Sequence, residues 1–126
     1  MGYLIDSNVF IDYVAERFKE NQLKALDLIF DDEIKISVIT KIEVLGYNGN
    51  KDEEAKMIEI LGFADIVPLN ESVVARTILL RKSIKIKTPD AIIASTALVS
   101  NLTLITNNIA DFKRVTGLKI FNPYDL

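Results

Sequence analysis

The chain has 126 residues, 49% hydrophobic and 26% charged, with a formal net charge of −3 and no Cys, His or Trp. This predicts one globular domain over residues 1–126 that needs no disulfide or structural zinc, and the charge is not that of a protein that coats nucleic acid nonspecifically. Without Cys and His, catalysis must use groups such as Asp, Glu, Lys and Ser, and a bound metal must be a hard cation such as Mg²⁺ or Mn²⁺.

The first predicted strand is the apolar run Tyr3-Leu4-Ile5, which ends at Asp6. Ser7 or Asn8 is expected to cap the helix that follows. That helix is indicated by apolar residues at helical spacing, namely Val9, Phe10, Tyr13 and Val14. A second helix is predicted over residues 20–32 from an apolar stripe of Leu23, Leu26, Leu28, Ile29 and Phe30.

Residues 34–39 alternate between apolar and polar side chains, which predicts the second strand. Thr40 is expected to cap a third helix that contains Glu43. A polar loop over 46–50 then leads to a helix from Asp52 to Leu61, closed by Gly62. The short strand predicted over 66–69 contains Pro68, which indicates the edge or end of a sheet.

The second half of the chain continues this alternation of helices and strands. Asn70 is expected to cap a long helix, and Thr88-Pro89-Asp90 is a typical start for the next one. The latter is nearly free of charge as far as Val99, so it is expected to be central and buried. A strand over 102–106, a turn or short helix at Asp111-Phe112 and an edge strand over 119–121 complete the prediction. The alternation indicates an α/β fold with a mostly parallel sheet and helices on both faces.

Four acids are expected to meet at one edge of this sheet, because functional crevices lie outside the carboxyl ends of parallel strands. Asp6 follows the first strand, Glu43 lies one helical turn beyond the second, and Asp111 follows the strand over 102–106. Asp90 begins the helix that leads into that last strand. Each acid also has a local explanation: Asp6 as a helix cap, Glu43 in a capping box with Thr40, Asp90 as a first-turn acid, and Asp111 as a solvated turn residue.

Such a cluster requires a counter-charge. Two carboxylates about 4 Å apart repel each other by roughly 4 kcal/mol at an effective dielectric constant near 20. A divalent cation with oxygen ligands relieves this repulsion, polarises a phosphoryl oxygen and lowers the pKa of its bound water. The acids therefore favour metal-assisted hydrolysis of phosphodiesters, a reaction that needs no His.

The motifs around these acids resemble the PIN domain, and more narrowly the VapC-type ribonuclease toxins of toxin–antitoxin pairs. The matching segments, in order and over the whole chain, are Leu4-Ile5-Asp6-Ser7-Asn8, Glu43 after a Ser/Thr-bearing strand end, Pro89-Asp90-Ala91-Ile92-Ile93-Ala94 and Leu104-Ile105-Thr106-Asn107-Asn108-Ile109-Ala110-Asp111-Phe112. The resemblance implies a three-layer α/β/α sandwich, Mg²⁺ or Mn²⁺ held by the acids, and endonucleolytic cleavage of RNA by a metal-activated water.

By this resemblance, Asp6, Glu43 and Asp90 match the three strongest catalytic and metal-binding acids of the family, and Asp111 matches a fourth, more variable one. The resemblance also implies that Asn8, Thr106 and Asn108 orient the acids or water. Ser7 stands where the family often has Thr, and no basic residue stands near Asn107, where the family often has one. A cognate antitoxin and a homodimer are further implications.

Two other parts of the sequence are candidates for binding. Within the basic run over 81–87, Lys85 and Lys87 either steer RNA toward Asp90 or belong to a solvated helix end; Arg81 and Lys82 fit the latter. An antitoxin helix is a possible ligand of a groove formed by Phe10, Tyr13 and Phe18, although Phe10 is better suited to the core.

Two alternative functions remain open from the sequence. A degenerate PIN-like domain would bind or scaffold without catalysis, which the presence of all four acids disfavours. An aspartyl-phosphate phosphatase would expect a second Asp at the position of Asn8. The N-terminus lacks the pattern of a signal peptide and the longest apolar runs are too short to span a membrane, so the expected location is cytoplasmic.

Overall fold

A computed structural model describes residues 2–126, and its centre is a five-stranded parallel sheet. The strands are β1 (Gly2–Ile5), β2 (Lys35–Ser37), β3 (Asp65–Val67), β4 (Leu102–Ile105) and β5 (Ile120–Phe121). Their spatial order is β3-β2-β1-β4-β5, and every neighbouring pair is parallel. Both predicted edge strands therefore lie at edges, and β1 is central.

Helices connect the strands at the predicted places. They are α1 (Ser7–Val14), α2 (Glu20–Asp32), α3 (Val38–Leu45), α4 (Lys51–Leu61), α5 (Glu71–Ser83), α6 (Thr88–Val99) and α7 (Ile109–Phe112), followed by a 3₁₀ turn at Pro123–Asp125. Within residues 2–126, no helix has both the length and the apolar character needed to cross a bilayer.

The central strands bury both of their faces. Leu4 and Leu104 pack with the apolar side chains of α6 and α7, whereas Ile5 and Ile105 pack with those of α1, α2 and α4. Helix α5 packs mainly against α6, which explains why α6 is nearly free of charge. This arrangement confirms the three-layer α/β/α sandwich.

The start of α3 differs from the prediction. Strand β2 ends at Ser37 rather than at residue 39, and Ser37, not Thr40, caps α3 by accepting the Thr40 N–H at 3.1 Å. Both hydroxyls are suitable caps, and the earlier one begins the helix. Glu43 is consequently in the second turn of α3 and does not form a capping box with Thr40.

Three further details were also predicted incorrectly. Asp6, whose local explanation was a helix cap, caps α1 in place of Ser7 or Asn8, and Lys87 rather than Thr88 occupies the cap position of α6. Leu28 does not join the buried stripe of α2, because its side chain is 75% exposed. Phe10, by contrast, is fully buried in the core, which is the place that the sequence favoured for it.

Candidate active site

A polar cavity of about 350 Å³ opens at the carboxyl end of the sheet, as the topology requires. Its lining combines three acids with small polar side chains, namely Asp6, Ser7, Asn8, Glu43, Asp90, Asn107 and Asn108. None of the described residues that line it is Lys or Arg. The structure thus brings together acids contributed by three separate parts of the chain.

Asp6 is held rigidly between the two central strands and α1. Its Oδ1 accepts the Ser7 N–H at 2.8 Å, and its Oδ2 accepts the Thr106 hydroxyl at 2.7 Å at the end of β4. Burial raises the pKa of Asp6, and the charges of Glu43 and Asp90 raise it further, while these two hydrogen bonds oppose the rise. The carboxylate is therefore well oriented, and within residues 2–126 it forms no ion pair.

Ser7 connects two of the acids, a role that the sequence interpretation missed. Its backbone N–H reaches Asp6, and its buried hydroxyl donates to Glu43 Oε1 at 2.5 Å. The signal in the sequence is a hydroxyl directly after Asp6, the acid that follows β1, but the sequence interpretation assigns it to a helix cap. The hydroxyl instead fixes the carboxylate of Glu43 in α3 relative to that of Asp6 at the start of α1.

Asp90 lies in the first turn of α6 and joins the other acids electrostatically. Burial raises its pKa, followed by the charges of Asp111 and Glu43, while Lys87 lowers it. Asp111 does not line the polar cavity; it lines an adjoining cavity that also contains Asp90. Asp111 is fixed by the Asn108 side-chain amide at 3.1 Å, and Arg114 Nη2 is 3.8 Å from its Oδ1.

The remaining predicted residues fall around these acids. Thr106 is fully buried, and its Oγ1 accepts the Asn108 N–H at 3.0 Å while donating to Asp6. Asn8 is exposed and lines the polar cavity. Lys85 and Lys87 both line the adjoining cavity, beside Asp90.

The donors suit a divalent cation in chemical type and in charge. Carboxylate oxygens are the preferred ligands of Mg²⁺ and Mn²⁺, and burial, with a smaller contribution from the neighbouring acids, raises the pKa values of Asp6 and Asp90. Among residues 2–126, however, no three acidic side chains converge closely enough to form a ligand set in this conformation. Hydrogen bonds from Thr106 and Ser7 orient Asp6 and Glu43 and leave lone pairs free on both carboxylates, so the acids need only draw closer together to form a ligand set.

Comparison with known proteins places the chain in a family. A family model described as the PIN domain matches residues 3–118. Ribonuclease VapC2 of Rickettsia felis is 30% identical over 132 residues, which cover 97% of this chain and 98% of that protein. A toxin–antitoxin complex from Klebsiella pneumoniae contains a chain that aligns with a TM-score of 0.80 at 30% identity, covering 99% of this chain and 100% of that one.

A second solved structure supports the same assignment. VapBC2 from Rickettsia felis, bound to a DNA fragment from their promoter, contains a chain that aligns with a TM-score of 0.77 at 26% identity. The alignment covers 97% of this chain and 98% of that one. From the family match, the full-length relatives and the acids assembled at the expected edge of the sheet, the chain belongs to the PIN domain family.

Proposed function

We propose that this chain is an endoribonuclease that uses Mg²⁺ or Mn²⁺ to cleave RNA phosphodiesters, and that it is the toxin of a toxin–antitoxin pair. The observation that carries the proposal is the polar cavity, which is lined by Asp6, Glu43 and Asp90 and has no Lys or Arg among its described lining residues. Its relative VapC2 is a ribonuclease by name, and the related structures include toxin–antitoxin complexes. A cytoplasmic location is part of the proposal, because the RNA substrates are there.

The chemistry divides between the cation and the protein. When bound, the cation supplies a Lewis acid for a phosphoryl oxygen and a water of lowered pKa. Asp6, Glu43 and Asp90 would hold it, with Asp111 beside Asp90 as a fourth acid. The protein's contribution is orientation, because hydrogen bonds to the acids fix their carboxylates and tune their basicity.

The polar neighbours of the acids have separate tasks in this proposal. Ser7 and Thr106 hold the carboxylates of Glu43 and Asp6 in place, and the Asn108 amide holds Asp111. Asn8 and Asn107 line the cavity with amide groups that are able to hydrogen-bond to substrate oxygens or to water.

Cleavage of a fluorescent RNA by the purified chain tests the activity. We expect cleavage with Mg²⁺ or Mn²⁺, none with excess chelator, and none from Asp6→Asn or Asp90→Asn. Asp52→Asn is the matched control, because Asp52 is an exposed acid in the first turn of α4. This variant should cleave RNA like the wild type. Cleavage that persists in chelator, or in Asp6→Asn, would contradict the proposed metal chemistry.

Metal binding is measured separately by thermal unfolding. A cation at one hundred times its dissociation constant stabilises a protein by about 2.7 kcal/mol. We expect this stabilisation in the wild type and its loss in Asp6→Asn or Asp90→Asn. Stabilisation without cleavage would favour the alternative of a non-catalytic scaffold, and a phosphorylated Asp6 formed from a small phosphodonor would favour the phosphatase.

The proposed antitoxin has a suitable surface at another cavity, of about 630 Å³. Tyr13, Phe30, Ile60 and Phe63 form its apolar part, and Phe63 is 78% exposed. Its acidic side chains are Asp31, Asp32, Glu33 and Asp65. This combination suits an amphipathic, basic segment of a partner protein. Co-purification with the product of the adjacent gene should be lost in Phe63→Asp and retained in the Leu28→Asp control.

A homodimer is the remaining part of the proposal. Large apolar side chains are exposed on α3 and α5, including Ile42, Leu45, Ile78 and Leu79. Exposed apolar side chains of this size are typical of protein interfaces when they are contiguous. Light scattering should give twice the chain mass for the wild type and a monomer for Leu79→Glu; a monomeric wild type would contradict the dimer.

A further inference from the structure

The cavity adjoining the polar cavity has the opposite charge. It has a volume of about 430 Å³ and shares Asp90 with the polar cavity. Besides Asp90, Asp111 and Ile86, its lining consists of four cationic residues, Arg81, Lys85, Lys87 and Arg114. By contrast, three acids line the polar cavity and four line the cavity of about 630 Å³ proposed for the antitoxin, with no Lys or Arg among the described lining residues of either. In a chain of net charge −3, positive charge is therefore concentrated next to the candidate active site.

Most of this positive charge is not neutralised by the protein. Among residues 2–126, no carboxylate lies within ion-pair distance of Arg81, Lys85 or Lys87. Arg114 lies 3.8 Å from Asp111, but both side chains are 40–48% exposed, so water weakens their attraction. The cavity thus offers cationic side chains whose natural ligand is an external anion.

Arg81, in the last turn of α5, is held in place by a contact with the backbone. Its Nε donates to the backbone carbonyl of Ile86 at 3.3 Å, which anchors the guanidinium over the turn between α5 and α6. The Nη groups make no hydrogen bond within residues 2–126. A guanidinium held in this way is well suited to a phosphate, which it can bind through two parallel hydrogen bonds.

We infer that this cationic cavity binds backbone phosphates that neighbour the cleaved phosphate in the same RNA strand. This inference rests on the proposed ribonuclease function. The acids of the polar cavity repel a polyanion, and Lys87 is close enough to Asp90 to influence its charge. Cations across Asp90 counter that repulsion and hold the strand next to the acids. They also supply the positive charge that is missing near Asn107.

The test uses Lys87→Gln, Arg114→Gln and the double variant, with Lys24→Gln as a matched control. Lys24 is exposed on α2 and lines none of the three cavities. Binding of a fluorescent single-stranded RNA is measured in the presence of chelator, at salt concentrations between about 0.1 and 1 M. Each lost phosphate contact should make the salt slope shallower by about 0.7, so the loss of affinity relative to the wild type should be about fivefold larger at 0.1 M than at 1 M salt. In the cleavage assay, KM should rise while kcat is retained.

The outcomes separate this inference from the proposed function. If the wild type cleaves RNA and both variants match Lys24→Gln in salt slope and KM, the inference is overturned and the function stands. If the wild type fails to cleave but the variants lose the salt-dependent binding, the function fails and the binding cavity stands. Unchanged RNA binding with loss of antitoxin binding would reassign the cavity to the protein partner and overturn the inference.

Discussion

Thr106→Val removes a hydroxyl at the centre of the site that donates to Asp6 and also accepts the Asn108 N–H. The substitution keeps the shape of the side chain but removes the hydroxyl that donates to Asp6 Oδ2 at 2.7 Å. Asp6 is only 8% exposed and Thr106 is fully buried, so water cannot easily replace the lost donor. Thr103→Val, on the same strand, is the matched control, because the Thr103 hydroxyl makes no hydrogen bond within residues 2–126.

The expected magnitude follows from the charge on Asp6. A hydrogen bond to a charged group contributes about 1.5–3 kcal/mol, so at pH 7 we expect a loss of about 2 kcal/mol in the free energy of unfolding. For a chain of this size, about 2 kcal/mol corresponds to a melting temperature lowered by about 8 °C. Thr103→Val should change stability little.

The pH dependence has a defined sign. Burial raises the pKa of Asp6 in the folded chain, and loss of the Thr106 hydroxyl raises it further. The free energy of unfolding therefore falls as pH rises from the unfolded-state pKa, about 3.9, through the folded-state pKa, and it falls further in the variant. The difference between wild type and variant should be smaller below about pH 4 than at pH 7.

Urea unfolding in chelator, at both pH values, measures these differences. The prediction is refuted if Thr106→Val is as stable as Thr103→Val at pH 7, or if the destabilisation of Thr106→Val is the same at both pH values. Metal titration of the same variants adds a second readout. Loss of a group that orients a metal ligand typically weakens metal binding by about 10- to 100-fold.

Three further substitutions test neighbouring contacts. Asp90→Asn should raise the melting temperature in chelator while abolishing stabilisation by Mn²⁺, since it removes a charge repelled by Asp111 and Glu43; a lower melting temperature in chelator would contradict this. Ser7→Ala should reduce the cleavage rate about tenfold or more and Ser7→Thr should retain it, because only the hydroxyl holds Glu43; equal rates would refute the bridge. Tyr124→Phe loses the hydrogen bond to Asp12 and should destabilise the chain by about 1 kcal/mol in urea unfolding, whereas an unchanged midpoint would show that the bond contributes nothing.

Much of the architecture was predictable because local patterns encode it. The apolar run before Asp6 and the uncharged segment after Asp90 specify a central strand and a buried helix, whatever their tertiary neighbours are. The carboxyl ends of parallel strands then indicate where the acids lie. The assembly of Asp6, Glu43 and Asp90 around one cavity agrees with that expectation.

The failures arose where tertiary packing decides between equivalent local choices. Ser37 and Thr40 are both good caps, and only the end of β2 determines which one begins α3. The bridging role of Ser7 depends on where α3 places Glu43, which local sequence does not specify. Arg114 lines the same cavity as Lys87 because Phe112 of α7 packs with the apolar side chains of α6. Residue spacing along the sequence does not predict this contact.

Sequencing of RNA cleavage ends in cells that express this chain tests the central claim most directly. The account predicts new RNA ends at defined sites with the wild type, and their absence with Asp6→Ala expressed at the same level. The Asp52→Ala control should reproduce the wild-type ends. The same ends in the Asp6→Ala sample, or no new ends with the wild type, would contradict a ribonuclease whose site is built around Asp6.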